Sequence, residues 1–254
     1  MNLKIKHFVV FVTFVSLLSC KKKNYTLANI DSKLLIINDS IKSIDSINSF
    51  VAPYRNRINE ILDSTLAYAP RMITKNVGEY NTTAGNLMAD IVLSEANPIF
   101  KSRTDREIDF VLLNYGGIRS IISKGKVTAR TAYQIMPFEN AIVIVELNGK
   151  SVRELVSFLI NSGRPHPIAG LQIILNSNNN LQSVNIKGKP FDEESSYFIA
   201  TSSYLLNGGD KMNFFKNNLS VTEVDYMIRN AMIDYFKKVD TIDPVIDSRF
   251  IKLQ

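Results

Sequence analysis

The 254-residue chain has one cysteine, no tryptophan and two histidines. A single cysteine permits no internal disulfide, so packing alone must hold the fold. Two histidines are too few for a two-metal hydrolytic centre, which needs several imidazole and carboxylate ligands. His7 falls in the leader-like first segment, which leaves His166 alone in the loop Arg164-Pro165-His166-Pro167, where it reads as a solvated residue. There is no Walker-type glycine loop and no Gly-x-Ser-x-Gly elbow, so Ser202-Ser203 is not read as a nucleophile pair. No repeat of solenoid length is present. Excess charge is scarce too. The formal net charge is +6, but Lys4, Lys6, Lys21, Lys22 and Lys23 stand before any acidic residue, and residues 24–254 carry 25 basic against 24 acidic side chains. The footprint of a nucleic-acid binder is therefore absent. With 45% hydrophobic and 21% charged residues, a folded domain is expected rather than a disordered or multi-span membrane chain.

The longest apolar run, Phe8 to Leu18, is too short to cross ~30 Å of hydrocarbon as a helix, and it follows two lysines in the manner of a secretory signal. It ends in Leu17-Leu18-Ser19-Cys20, which resembles a bacterial lipobox. The expectation is a signal peptide over 1–19, lipidation of Cys20, and a tether over 20–46 that holds the protein to a membrane of the bacterial cell envelope. Each buried acyl methylene would contribute about 0.8 kcal/mol, and the lysines after Cys20 would meet anionic headgroups.

Residues 47–254 are expected to form the domain. Ile47, Phe50, Val51, Tyr54, Ile58, Ile61 and Leu62 fall on one helical face, with Pro53 marking either a kink or the true start. Thr82 or Thr83 can cap a second helix with the stripe Ala84, Leu87, Met88, Ile91 and Val92, ended by Asn97-Pro98. Strands are expected at 66–73, 108–113, 141–147, 171–175, 181–186 and 197–200, with a helix carrying Val152, Leu155, Val156 and Leu159 after Asn148-Gly149. Thr222-Glu223-Val224-Asp225 resembles a capping box opening a last helix with the stripe Val224, Ile228, Ala231, Met232 and Tyr235. Helices and strands mix without strict alternation, which reads as an α+β single domain with a mixed β-sheet and packed helices.

Three loops combine glycine with polar or aromatic residues. Asn114-Tyr115-Gly116-Gly117-Ile118-Arg119 offers close backbone approach and a guanidinium fork suited to phosphate or carboxylate, or else a tight turn with a surface arginine. Met136-Pro137-Phe138-Glu139-Asn140 offers either a core-capping ring or a stacking platform with an amide able to read a ring edge. Tyr204-Leu205-Leu206-Asn207-Gly208-Gly209-Asp210 is either a hairpin turn or an aromatic platform followed by a carboxylate that accepts from ribose hydroxyls.

In order and wording these loops, with the helix start Gly85-Asn86-Leu87, resemble the C-terminal, substrate-binding domain of the 5'-nucleotidase / UDP-sugar hydrolase family, over about 47–233. The resemblance implies that Asn114, Gly116, Gly117, Arg119, Phe138, Asn140, Tyr204, Gly208, Gly209 and Asp210 bind a nucleotide or nucleoside. In it Phe138 and Tyr204 sandwich the base, Asp210 takes the ribose, and Asn114 and Arg119 contact the base and the ribose or phosphate end. Tyr115 stands where the family has glycine, Glu139 replaces another glycine, and Tyr204 replaces phenylalanine. Glu79-Tyr80-Asn81 stands where many relatives carry an arginine. The family's two-metal phosphoesterase domain has no counterpart in these residues, so no catalytic residue, metal or cofactor is expected in this chain. Its expected place is the nucleotide-recognising half of a 5'-nucleotidase-type phosphohydrolase, with divalent metals in a separate metallophosphoesterase chain. The alternatives are a non-enzymatic nucleoside-binding envelope lipoprotein, or a scaffold whose loops no longer bind.

Overall fold

The computed structural model describes residues 2–17, 25–38 and 40–254. Cys20, and with it the expected lipidation, lies outside the described residues. The chain divides into two units, one running to Phe50 and one comprising Val51–Gln254.

In the first unit α1 spans Asn2–Leu17, and residues 25–37 have no regular secondary structure. Among the described residues no helix is long and apolar enough to cross a membrane. Helix α2, Asp45–Asp63, runs across the boundary between the units with Pro53 inside it and none of its residues buried. The expected helix is present, then, but it begins well before the proline, at Asp45, and its apolar face is not part of the core.

The second unit runs β1 (Thr65–Ala69), α3 (Thr83–Thr104), β2 (Phe110–Leu112), β3 (Gly125–Thr128), α4 (Ala129–Ile135) and β4 (Ala141–Asn148). It continues with α5 (Gly149–Asn161), β5 (Ile168–Ala169), β6 (Leu171–Leu175), β7 (Leu181–Ile186), β8 (Lys189–Pro190) and β9 (Ser196–Ser202). It ends with α6 (Ser203–Leu206), β10 (Ser220–Met227), α7 (Ile228–Lys238) and β11 (Phe250–Lys252). A mixed five-stranded sheet in the order β10-β4-β9-β2-β5 is the centre. Its pairings are antiparallel except for parallel β2–β9. A four-stranded sheet, β11-β6-β7-β8, and the β1–β3 pair flank it.

Side chains alternate across the central sheet. Val111, Leu113, Ile142, Ile144 and Ala200 join one core with α3, α4 and α7. Phe110, Leu112, Val143, Val145, Leu147 and Ile199 join a second core with α5 and β6. Both faces are buried, which is why β4 reads as an unbroken apolar run rather than an alternating one. β2 and β9 are parallel neighbours, and β4 runs against β9 with Ile142 opposite Ser202. The ends of β2 and β9 and the start of β4 therefore lie at one edge, where the three singled-out loops begin or end.

Three local expectations need correction. Asn97-Pro98 does not end α3, which continues to Thr104 and closes on Asp105 in the left-handed region at φ 58°. A helix-interior proline costs about 3 kcal/mol, and burial of Phe100 in the turn beyond it offsets that cost. Thr222-Glu223 is not a capping box. These residues pair with Ile144 and Val143 in the β10–β4 ladder, and Asp225 at φ 55° sits in the bulge before Met227. Strand pairing wins because it turns Val224, within β10, into the core shared with α3 and α7. Within α7 it is Phe236, not Tyr235, that is fully buried.

At the start of α3, the Thr82 side chain accepts from the Gly85 amide. Buried Asn86 donates to Asn81 Oδ1 and to the Val245 carbonyl, both at 2.8 Å. Asn81 in turn donates to the Asp247 and Phe250 carbonyls at 3.0 and 3.1 Å. This amide relay ties the C-terminal strand to the helix start. Asn86→Ala leaves the Val245 carbonyl and Asn81 Oδ1 short of a donor, and a loss of about 1–3 kcal/mol is expected from urea unfolding, with the denaturant slope unchanged.

Candidate functional site

The first loop leaves β2 and makes a single turn of 3-10 helix at Tyr115–Gly117. The second, residues 136–140, connects α4 to β4, and the third follows β9 through α6 into a 3-10 turn at Gly209–Lys211. All three meet around one cleft of about 280 Å³ lined by Asn114, Gly116, Gly117, Arg119, Phe138, Asn140, Tyr204 and Asp210. Phe138 and Tyr204 are 42% and 45% exposed, so neither ring is spent on the core. The Arg119 guanidinium carbon lies 5.7 Å from the centre of the Phe138 ring, within cation–π range.

Asp210 joins the first loop to the third. Its Oδ2 accepts from Asn114 Nδ2 at 2.7 Å and its Oδ1 from the Tyr204 hydroxyl at 3.0 Å. The same hydroxyl accepts from the Asp210 amide at 3.2 Å. A carboxylate has about four acceptor positions, so two remain for a ligand's hydroxyl donors. Gly208 and Gly209 do not line the cleft; they shape the turn. Gly208 has φ 84°, and a Cβ on Gly209 would lie 2.5 Å from the Tyr204 ring. Glycine at 209 lets that ring lie against the backbone and reach Asp210.

Two departures from the family pattern have partners. The Tyr115 ring has Lys75 Nζ at 4.3 Å and the Arg164 guanidinium at 5.9 Å from its centre. Lys75 also donates to the Ile118 carbonyl at 2.6 Å. Burial, then repulsion from Arg119 and Arg164, lowers the Lys75 pKa. Glu139 pairs with Arg229 at 3.6 Å. Sequence reasoning missed Lys75, Arg164 and Arg229. Each acts from an element outside the three loops, and with the last helix expected to open at Thr222 nothing in the sequence sets Arg229 in a first helical turn. Ser202 caps α6 by accepting from the Leu205 amide, and Ser203 Oγ accepts from the Ala141 amide at 3.2 Å. Both serines are thus committed to backbone.

His166 is not a solvated loop residue. It is 6% exposed, and its Nδ1 accepts from the Tyr115 amide at 3.2 Å. Its ring lies 5.6 Å from that of Phe158. Burial is the largest influence on its pKa, and with Arg164 it outweighs Asp210 and a hydrogen bond with the Leu113 backbone, pushing the value from 6.5 down to about 4. A metal centre does not fit these residues. The one imidazole here has its lone pair occupied by the Tyr115 amide, and Asp210 is the single carboxylate lining the cleft. Among the described residues no group of three or more His, Cys, Asp or Glu is placed to hold a metal ion.

Between pH 6.5 and about 4 the unfolded chain takes up a proton on this histidine that the folded chain refuses. Stability must therefore rise with pH across that window and fall as pH drops through it. The full effect is about 3 kcal/mol. Urea midpoints at pH 7.0, 5.5 and 4.5 for the wild type and His166→Gln should differ by a pH-dependent amount that the variant lacks.

A family model described as 5'-nucleotidase, C-terminal domain, matches residues 63–217. The chain is 23% identical over 214 residues to the trifunctional nucleotide phosphoesterase protein YfkN of Bacillus subtilis (strain 168), covering 77% of this chain and 14% of that protein. It is 23% identical over 219 residues to a 5'-nucleotidase of Vibrio vulnificus (strain CMCP6), covering 84% of this chain and 38% of that one. Its fold is similar to that of the 5'-nucleotidase precursor from Thermus thermophilus, with a TM-score of 0.68 and 21% identity over 82% of this chain and 43% of that one. The chain thus spans less than half the length of these relatives. With the mixed sheet and the loop order, the family match settles the assignment: the chain belongs to the 5'-nucleotidase C-terminal domain family.

Proposed function

We propose that this chain is the nucleotide-recognising part of a 5'-nucleotidase-type phosphohydrolase, held in the bacterial cell envelope through a lipid on Cys20 after removal of residues 1–19. Residues 20–46 serve as tether and 47–254 as the recognition domain. The base stacks between Phe138 and Tyr204, Asn140 and Asn114 meet its polar edge, and Asp210 accepts from the ribose hydroxyls. Arg119, beside Phe138, takes the phosphate end. Hydrolysis belongs to a separate metallophosphoesterase chain carrying the divalent metals, and no bond-breaking step is assigned to residues of this chain.

The observation that carries this reading is the convergence of three sequence-distant loops on one cleft with an aromatic ring from each of two loops and a shared carboxylate. At about 280 Å³ the cleft lies near the lower end of ligand pockets, about 300–1,000 Å³, a size for one nucleoside rather than a polymer. Polar groups at fixed points around apolar rings are what orientation of a base and sugar demands.

Calorimetry on the full chain should show binding of adenosine, uridine or their monophosphates, and added Mg²⁺, Mn²⁺ or Zn²⁺ should release no phosphate from the monophosphates. Phosphate release by this chain alone would overturn the division of labour. Nucleoside binding with no metallophosphoesterase captured in a pull-down would favour a nucleoside-binding lipoprotein instead.

Phe138→Ala and Tyr204→Ala should each weaken binding by about 1–3 kcal/mol, the worth of one stacked base. Tyr204→Phe separates two roles of that residue, because the ring is kept while Asp210 loses one of its two donors. Its loss should be confined to ligands with intact ribose hydroxyls and be absent for a 2',3'-dideoxynucleoside. Equal loss for both sugars would remove Asp210 from ribose recognition.

A further inference from the structure

Arg229 stands behind the loop that carries Phe138. Its side chain is 7% exposed, and its Nε is buried without a hydrogen-bond partner. Nη1 donates to the Pro137 and Phe138 carbonyls at 3.3 and 3.4 Å, and Nη2 lies 3.6 Å from Glu139. The guanidinium carbon sits 4.3 Å from the centre of the Tyr133 ring. One residue earlier, the Ile228 amide donates to the Asn140 carbonyl at 3.0 Å. The first turn of α7 therefore holds every residue from Pro137 to Asn140. At the far end of the same loop, the Ala141 amide is held by Ser203, the residue before Tyr204.

Local physics argues against this arrangement as a device for stability. A buried guanidinium carries a desolvation cost, and an orphaned N–H adds to it. A cation in the first turn of a helix also faces the positive end of the helix dipole. Carbonyls of a surface loop could bond to water instead. Such costs are concentrated where a local geometry must be fixed for a purpose outside the fold. Here that geometry is the height of the Phe138 ring above the cleft.

We infer that Arg229 is a positioning residue that fixes the Phe138 platform through the Pro137 and Phe138 carbonyls, and so sets the gap in which a base stacks. The inference rests on the nucleotide-binding reading for its consequence, but not for the positioning itself. Arginine suits the task because one planar fork reaches two carbonyls and the Glu139 carboxylate while its face covers Tyr133. A lysine could reach one of these acceptors but not span them.

The test uses the full chain with Arg229→Met, Arg229→Lys, Phe138→Ala and the double variant Arg229→Met/Phe138→Ala. Adenosine affinity should fall about tenfold in Arg229→Met and recover in part in Arg229→Lys. The double variant should be no weaker than Phe138→Ala alone, because without the ring there is nothing to position. Losses that multiply in the double variant, or an unchanged affinity in Arg229→Met, would overturn the inference. Amide exchange supplies a readout that needs no ligand. At Ala141, whose amide closes the loop by donating to Ser203 Oγ, it should be at least about tenfold faster in Arg229→Met, with Val143 and Val145 unchanged. If Arg229→Met fails to fold, the same comparison is made with Arg229→Lys. If the wild type binds no nucleoside, the functional reading fails while exchange still decides the positioning. Equal exchange in variant and wild type would sink the inference.

Discussion

The burial of both faces of the central sheet is the constraint on which the remaining architecture rests. Phe110 and Leu112 face one core while Val111 and Leu113 face the other, and Ile142 and Ile144 alternate in the same way with Val143 and Val145. In a strand of period two, a slip of one residue would exchange the two sets, and neither core is shaped for the other's side chains. Register is thus fixed by packing, and with it the pairing of Val111 with Ala200 and of Ile142 with Ser202. Thr201 adds a buried hydrogen bond to the Leu112 carbonyl at 2.8 Å, close to the edge from which the loops emerge. The cleft inherits its geometry from the sheet: loops of different length meet because the strands that bear them cannot shift.

On that fixed edge the loops are joined by a few polar contacts of high local value. Asp210 binds the first loop to the third, and Ser203 binds the third to the second. His166 reaches the first loop from beneath, as a neutral acceptor for the Tyr115 amide. Its depressed basicity follows from the same burial that makes it rigid, because a charged ring there would lack solvent and face Arg164. The loops are therefore held by backbone and amide bonds rather than by exposed ion pairs, which contribute little and weaken with salt.

Much of this was legible in the sequence, and the exceptions share a cause. The strands at 141–147, 171–175 and 181–186 and the helix after Asn148 carry periodic patterns that tertiary contacts reinforce. The residues lining the cleft belong to three loops that the sequence marks only in combination: each alone also fits a tight turn or a core-capping ring, and it is their order and wording that resemble one family's binding loops. What was not legible depends on distant partners. Pro98 sits inside a helix because Phe100, in the turn beyond it, is pulled into the core. Thr222 and Glu223 pattern as a helix cap but pair with β4, whose position no local signal gives. His166 reads as exposed between two prolines and is buried because Phe158 and the Tyr115 turn close over it.

The two departures within the loops bear on whether this cleft is a worn remnant of a binding site. Replacing a loop glycine by a larger residue normally pushes side-chain bulk into the space the glycine kept open. Tyr115 does not do so. Its ring is taken up by Lys75 and Arg164, and the cleft wall is formed by Gly116 and Gly117 instead. Glu139 likewise turns to Arg229, and Phe138 and Asn140 on either side of it still line the cleft. An unpartnered substitution would leave the loop free to sag into the opening. Each of these instead adds a contact between the loop and a separate element, so the opening is maintained by the residues that depart from the family pattern as well as by those that follow it.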